Sequence, residues 1–127
     1  MKQSVGMKTN EFQFEKLRVY VMARELVKEV YLLQNKIPKE ERFALSSQVR
    51  RSITSVVANI AEGNSRISSK EKAHFIEISF GSLLEAFSEL QMAQDLGFIS
   101  NADIDTVRPK FYDVAKMLSG LRRSLLK

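Results

Sequence analysis

The sequence predicts an all-α protein, an up-down antiparallel four-helix bundle. Three observations carry this reading. Apolar residues recur at three- and four-residue spacing along most of the chain. Stop signals at Pro38, Gly63 and Gly97 divide that pattern into four segments of similar length. Runs of alternating apolar and polar residues are missing, and two prolines and five glycines are little punctuation for a β-protein. The 127 residues are most simply one domain, placed at 13–127, after a polar and aperiodic tail over 1–12.

The first helix is expected from Phe14 to about Lys36, with Leu17, Tyr20, Val21, Val27, Val30 and Tyr31 at helical spacing. Pro38 suits the first turn of the second helix, where its missing N–H costs nothing, and Glu40 and Glu41 favour the same turn through the helix dipole. That helix is expected to reach Glu62, with Gly63 as a left-handed C-terminal cap. Ser68 and Glu71 fit a capping box that opens the third helix, which ends near Leu96 at Gly97. Ser100 and Asp103 open the fourth, which runs to about Leu126. Pro109 lies well inside it and predicts a kink or short break near Thr106.

Register then separates core from surface. On the second helix, Leu45, Val49, Ile53, Val56 and Ile60 form the core stripe. A second line follows Phe43, Arg50, Val57 and Ala61, and Gln48, Ser52 and Asn59 make a polar seam. Gln48 and Asn59 are expected to bond a neighbouring helix or loop carbonyl, as partly buried amides do. On the third helix, Ile76, Phe80, Leu83, Phe87 and Leu90 face the core. Phe75, Ser79, Ala86 and Ala93 lie beside them, and Ile78, Gly81 and Met92 lie on the far side with His74, Glu85 and Ser88. Gly81 is costly in mid-helix, which predicts a close backbone approach there. A monomeric bundle needs one apolar stripe per helix. The second apolar face, with Val57, Ile78, Gly81 and Met92, predicts a homo-oligomer interface.

Catalytic patterns are wanting. Glu71-Lys72-Ala73-His74 is half of a di-iron carboxylate–histidine pattern, but the chain has one histidine and its register is outward. With no cysteine there is no thiol nucleophile, disulfide or thiolate-bound metal. Neither Gly-rich phosphate motif occurs. The reading is therefore a non-enzyme with no cofactor and no metal. No apolar stretch approaches the length of a membrane span, and no apolar signal segment follows the first lysines, so a cytoplasmic protein is the default.

Charge points to a partner. The net charge is +5, and it falls entirely in the first half: residues 1–66 carry 12 Lys/Arg against 7 Asp/Glu, and residues 67–127 carry 8 against 8. Such a bias suits a polyanion. Arg51 projects away from the core stripe, Arg66 lies in the turn after Gly63, and Lys70 and Lys72 occupy the first turn of the third helix, against its dipole. Aromatic residues fall mostly in core registers, so any nucleic acid would be held by phosphate contact rather than by base readout.

The run Gln48-Val49-Arg50-Arg51, then Ser55-Val56-Val57-Ala58-Asn59-Ile60-Ala61-Glu62-Gly63, then Ser69-Lys70-Glu71 and Phe75, resembles the four-helix-bundle family of proteins encoded in 23S ribosomal RNA intervening sequences. Phe14, Leu17, Ala23, Leu26 and Tyr31, and Gly81-Ser82-Leu83 with Glu85, fit the same family. Its relatives include the accessory variability determinant of diversity-generating retroelements. The resemblance spans roughly residues 12–125. It implies a homopentameric, barrel-like ring, and relatives that bind nucleic acid and a reverse transcriptase through basic surfaces. Many relatives have proline where this chain has Val57, which implies a straighter second helix here. No catalytic residue is carried over. The basic positions carried over are Arg50, Arg51, Arg66 and Lys70.

Together these give a homo-oligomeric helical bundle that binds RNA or DNA through backbone phosphates, with a reverse transcriptase or other nucleic-acid enzyme as a further partner. The rival is a protein-interaction scaffold whose basic residues stay solvated.

Overall fold

The computed structural model describes residues 10–127, and residues 1–9, most of the expected tail, lie outside the described residues. Four α-helices follow in order: α1 (Arg18–Gln34), α2 (Leu45–Asn64), α3 (Ser69–Asp95) and α4 (Asn101–Leu125). No strand occurs among the described residues. Each helix packs on the next, α4 returns to α1, and the α2–α3 pair is the most extensive. This is the closed up-down arrangement. One apolar core runs through all four helices, and the expected α2 stripe, Leu45, Val49, Ile53, Val56 and Ile60, is buried throughout.

Helix α1 begins later than its periodicity predicts. Gln13–Lys16 form a separate 3-10 turn, and Leu17 is extended at φ −70 and ψ 127. Local contacts hold that turn: the Phe12 N–H donates to the Glu15 carboxylate at 2.8 Å, and Phe14 meets Tyr20 edge-on. The buried face of α1 is Val19, Ala23, Leu26, Val30 and Leu33. Of the six residues expected there, only Val30 is buried; Leu17, Tyr20, Val27 and Tyr31 pack at its margin, and Val21 is exposed. The ridge that wins carries Ala23 and two valines, so neighbouring helices can approach it closely.

Pro38 does not open α2. Lys39–Glu41 make one 3-10 turn, and Ala44, at φ −120 and ψ −104, interrupts the chain before Leu45. The interruption lets Ile37 and Leu45 both enter the core and leaves Phe43 exposed beneath the Arg42 guanidinium.

Two glycines depart from their expected roles. Gly63 is not a left-handed cap; it is buried within α2, where an added Cβ would stand 2.7 Å from the Phe75 Cβ on α3. Gly81, the expected close approach, has nothing within 4 Å of a Cβ built there. The turn between α2 and α3 needs the two helices in contact at its base, and only Gly63 stands at that point. Gly97 behaves as expected, ending α3 at φ 80, a conformation that favours glycine.

Both later helices start on serine. Ser68 Oγ accepts the Glu71 N–H at 3.1 Å. Ser100 and Asp103 form the reciprocal box, each side chain accepting the other's N–H at 3.0 Å. The Lys36 ammonium also donates to Asp103, at 2.8 Å, tying the α1–α2 connection to the start of α4. That bond, followed by the Ser100 N–H, holds the Asp103 carboxyl below its ordinary range. No break follows at Thr106: α4 is continuous through Pro109. Pro109 is on the exposed side, where solvent can take the carbonyl freed by its missing N–H.

Candidate functional site

The closest helix pair carries a polar seam. Ser79 Oγ donates to the Val56 carbonyl at 2.7 Å, Ser55 and Ser82 share a hydroxyl hydrogen bond at 2.9 Å, and Ser52 Oγ donates to Glu89 at 2.9 Å. Small residues let α2 and α3 approach closely, and paired hydroxyls satisfy what that approach buries. Asn59 is satisfied within α2, donating to the carbonyl and hydroxyl of Ser55. It does not reach a neighbouring helix, and Gln48 is exposed. The outer part of the seam opens into a groove of about 320 Å³, lined by Gln48, Arg51, Ser52, Ser55, Ser82, Glu85 and Glu89. Gln48, Arg51, Ser55, Ser82 and Glu85 come from the segments that carry the family resemblance. The fold brings those separate segments to one surface.

Glu89 is the unforeseen member. It is 5% exposed, and burial pushes its carboxyl above the ordinary range, with Glu85 adding repulsion; Ser52 and Arg51 act in the opposite direction. The sequence held a signal for it. Glu89 follows Ala86 by three residues and precedes Ala93 by four, so it interrupts an inward line of small residues with a carboxylate.

The four basic candidates are not gathered. Arg50 is turned inward, donating to the Gln34 side chain at 3.1 Å and the Arg42 carbonyl at 3.3 Å, so it joins α2 to α1. Arg51, its neighbour, is exposed at the groove rim. Arg66 lies about 20 Å further on by helical rise, in the turn beyond the end of α2. It pairs with Glu62 at 2.7 Å and stacks over Phe75 at 4.6 Å. Lys70 is exposed and in no ion pair among the described residues.

Antiparallel topology nevertheless brings several basic residues to one end, together with Glu62, Glu71 and Glu77. The start of α1, the α2–α3 turn and the end of α4 meet at one end of the bundle, where Leu17, Gly63, Lys72, Leu121 and Leu125 line a shared recess. Arg18, Arg66, Lys70, Lys72 and Arg123 all stand at that end. Arg122 is there too, and like Arg66 it is paired with a carboxylate, Glu77, at 2.7 Å.

The apolar candidates fall on two sides. Ile78 and Met92 are partly exposed, at 39% and 44%, and share the outward face of α3 with exposed Gly81 and His74. Val57 lies across the bundle, in an open groove between α1 and α2 of about 610 Å³, with Val21, Val27 and Ala58. Charged Arg24, Glu25 and Lys28 line the same groove. Among the described residues no group of three or more histidines and carboxylates could hold a metal ion, and no helix is long and apolar enough to cross a membrane.

The bundle and its α2–α3 seam define a small all-helical protein built on a tightly paired central hairpin. The chain belongs to the 23S rRNA-intervening sequence protein family, whose model matches residues 15–120. A solved structure from Bacteroides thetaiotaomicron, described as a protein of unknown function from the S23 ribosomal protein family, shares the fold with a TM-score of 0.75. It is 20% identical, and the match covers 82% of this chain and 97% of that one. No match is found among curated proteins.

Proposed function

We propose that the protein is a non-enzymatic, homo-oligomeric bundle that holds RNA or DNA by its phosphate backbone at the basic end. One observation supports the reading: Arg18, Arg66, Lys70, Lys72 and Arg123 lie at or near four helix termini that share one end of the bundle. Lys70 and Lys72 sit in the first turn of a 27-residue helix, where a cation is disfavoured by the dipole and an anion is favoured. Phe12 is the exposed aromatic beside this end and Phe75 is covered by Arg66, so contact with the backbone supplies most of the affinity. Arg50, whose guanidinium is engaged within the fold, contributes through architecture, and Arg51 stands outside this surface.

Self-association is part of the same proposal. The outward α3 face with Ile78, Gly81 and Met92, and the Val57 groove, lie on different sides, as a head-to-tail assembly requires. The resemblance supports a ring of five, with a reverse transcriptase or similar enzyme as partner.

Fluorescence titration of labelled structured RNA and duplex DNA at several salt concentrations tests the binding. Affinity should fall linearly on a log–log plot as salt rises. No binding at low salt, or binding indifferent to salt, would overturn it. Light scattering tests assembly: a species of 14.5 kDa at micromolar concentration refutes it.

One feature favours the scaffold reading as the second choice. Leu84 and Tyr112, 51% and 63% exposed, flank Phe87, Phe111 and Arg108 on the α3–α4 side, and the aromatics and arginine among them are residue types enriched at protein interfaces. A protein partner retained on pull-down after nuclease treatment, with no nucleic-acid binding, would select it.

A further inference from the structure

The groove between α2 and α3 holds opposite charges that do not meet. On one wall stands the Arg51 guanidinium; on the other stand Glu85, exposed, and Glu89, almost wholly buried. Arg51 forms no ion pair with either carboxylate. Glu89 has a partner on one oxygen only, the Ser52 hydroxyl. Its second oxygen has no protein partner and keeps some access to the groove, where a cation could face it. Neighbouring positions on the same line, Ser79, Ala86 and Ala93, show that the packing there is met by small side chains. Packing therefore does not account for Glu89.

We propose that this groove binds a small zwitterion, a molecule on the scale of a free α-amino acid with one ammonium and one carboxylate group. The ammonium lies between Glu85 and Glu89, and the carboxylate lies on Arg51, whose planar fork suits a two-oxygen acceptor. Ser52, Ser55, Ser82 and Gln48 supply neutral donors and acceptors around the remainder of the ligand. The cavity, about 320 Å³, is at the small end of the range for ligand sites. A simple anion would face two carboxylates, and a simple cation would face Arg51. Only a ligand carrying both charges answers both walls.

Isothermal titration calorimetry on the full chain tests this with the twenty common amino acids singly. The best binder is then compared with its carboxamide, which lacks the carboxylate, and its hydroxy acid, which lacks the ammonium. At least one amino acid should bind, and each analogue should bind at least ~10-fold more weakly, the loss of one charge-assisted contact. Glu89→Gln, which keeps an oxygen for the Ser52 hydroxyl, and Arg51→Gln should each weaken binding by a similar factor with unchanged circular dichroism. Asp113→Asn, an exposed change on α4, should leave it intact. The proposal is overturned if no amino acid binds up to about 10 mM, if either analogue binds as well as the parent, or if both groove variants bind normally.

Discussion

Gly63 and Phe75 are interlocked across the base of the α2–α3 turn: a single added methyl on Gly63 would stand 2.7 Å from the Phe75 Cβ, with the Lys72 carbonyl at 3.4 Å. Both obstacles belong to the backbone or its first side-chain atom, so neither can swing away.

Gly63→Ala should therefore destabilise the protein by about 1–3 kcal/mol, the usual cost of overpacking. Gly81→Ala should act in the opposite direction within the protomer, by up to about 1 kcal/mol from helix propensity, because nothing stands within 4 Å of its Cβ. Urea denaturation of the two variants gives both signs, and equal destabilisation would contradict the placement of the close approach at Gly63 rather than Gly81.

Arg50 and Arg51 are adjacent but should respond differently. Arg50→Ala removes donors to Gln34 and the Arg42 carbonyl and should cost about 1–2 kcal/mol. Arg51→Ala, at an exposed rim, should stay within about 0.5 kcal/mol of the parent. Thermal denaturation of the pair separates them.

Glu89→Gln should raise stability at neutral pH. Burial holds the folded-state carboxyl above its unfolded value, so the folded chain binds the extra proton and loses stability as pH rises through that interval. The advantage of glutamine should shrink as pH falls towards the ordinary glutamate range. Melting temperatures of parent and variant between pH 4.5 and pH 8 measure this, and a constant difference across the range would contradict it. Asp103, whose folded-state value is depressed, runs the other way and loses its contribution as pH falls.

Lys70→Glu should stabilise the start of α3 by about 0.3–1 kcal/mol through the dipole while weakening nucleic-acid binding. Removing one phosphate contact should also reduce the salt slope by about 1. A variant that is more stable yet binds with the parent's affinity and slope would remove Lys70 from the interface.

Much of this architecture was legible in the chain. Ser68, Gly97 and Ser100 mark boundaries because their side chains, or the lack of one, act on the adjacent backbone. Helix starts were less legible. Pro38 permits a helix without requiring one, and the turn through Ala44 is set by Ile37 and Leu45 both reaching the core. The face of α1 was obscure because two apolar ridges compete, and only the neighbouring helices decide between them. Arg50 and Arg51 look equivalent in sequence, yet one residue of register, about 100° around the helix, sends the first to Gln34 and the second to solvent. Glu89 is hidden in sequence because a glutamate in mid-helix reads as solvated, whereas here it is 5% exposed.

The up-down path has a further consequence for anything joined to this bundle. Since α1 starts and α4 ends at the basic end, a segment attached to either terminus is tethered beside whatever that end holds. Its local concentration there can reach the millimolar range for a short flexible tether. A fused enzyme would be delivered to a captured strand, while a probe meant to leave that surface open belongs on the turns at the far end, near Phe43 or Gly97.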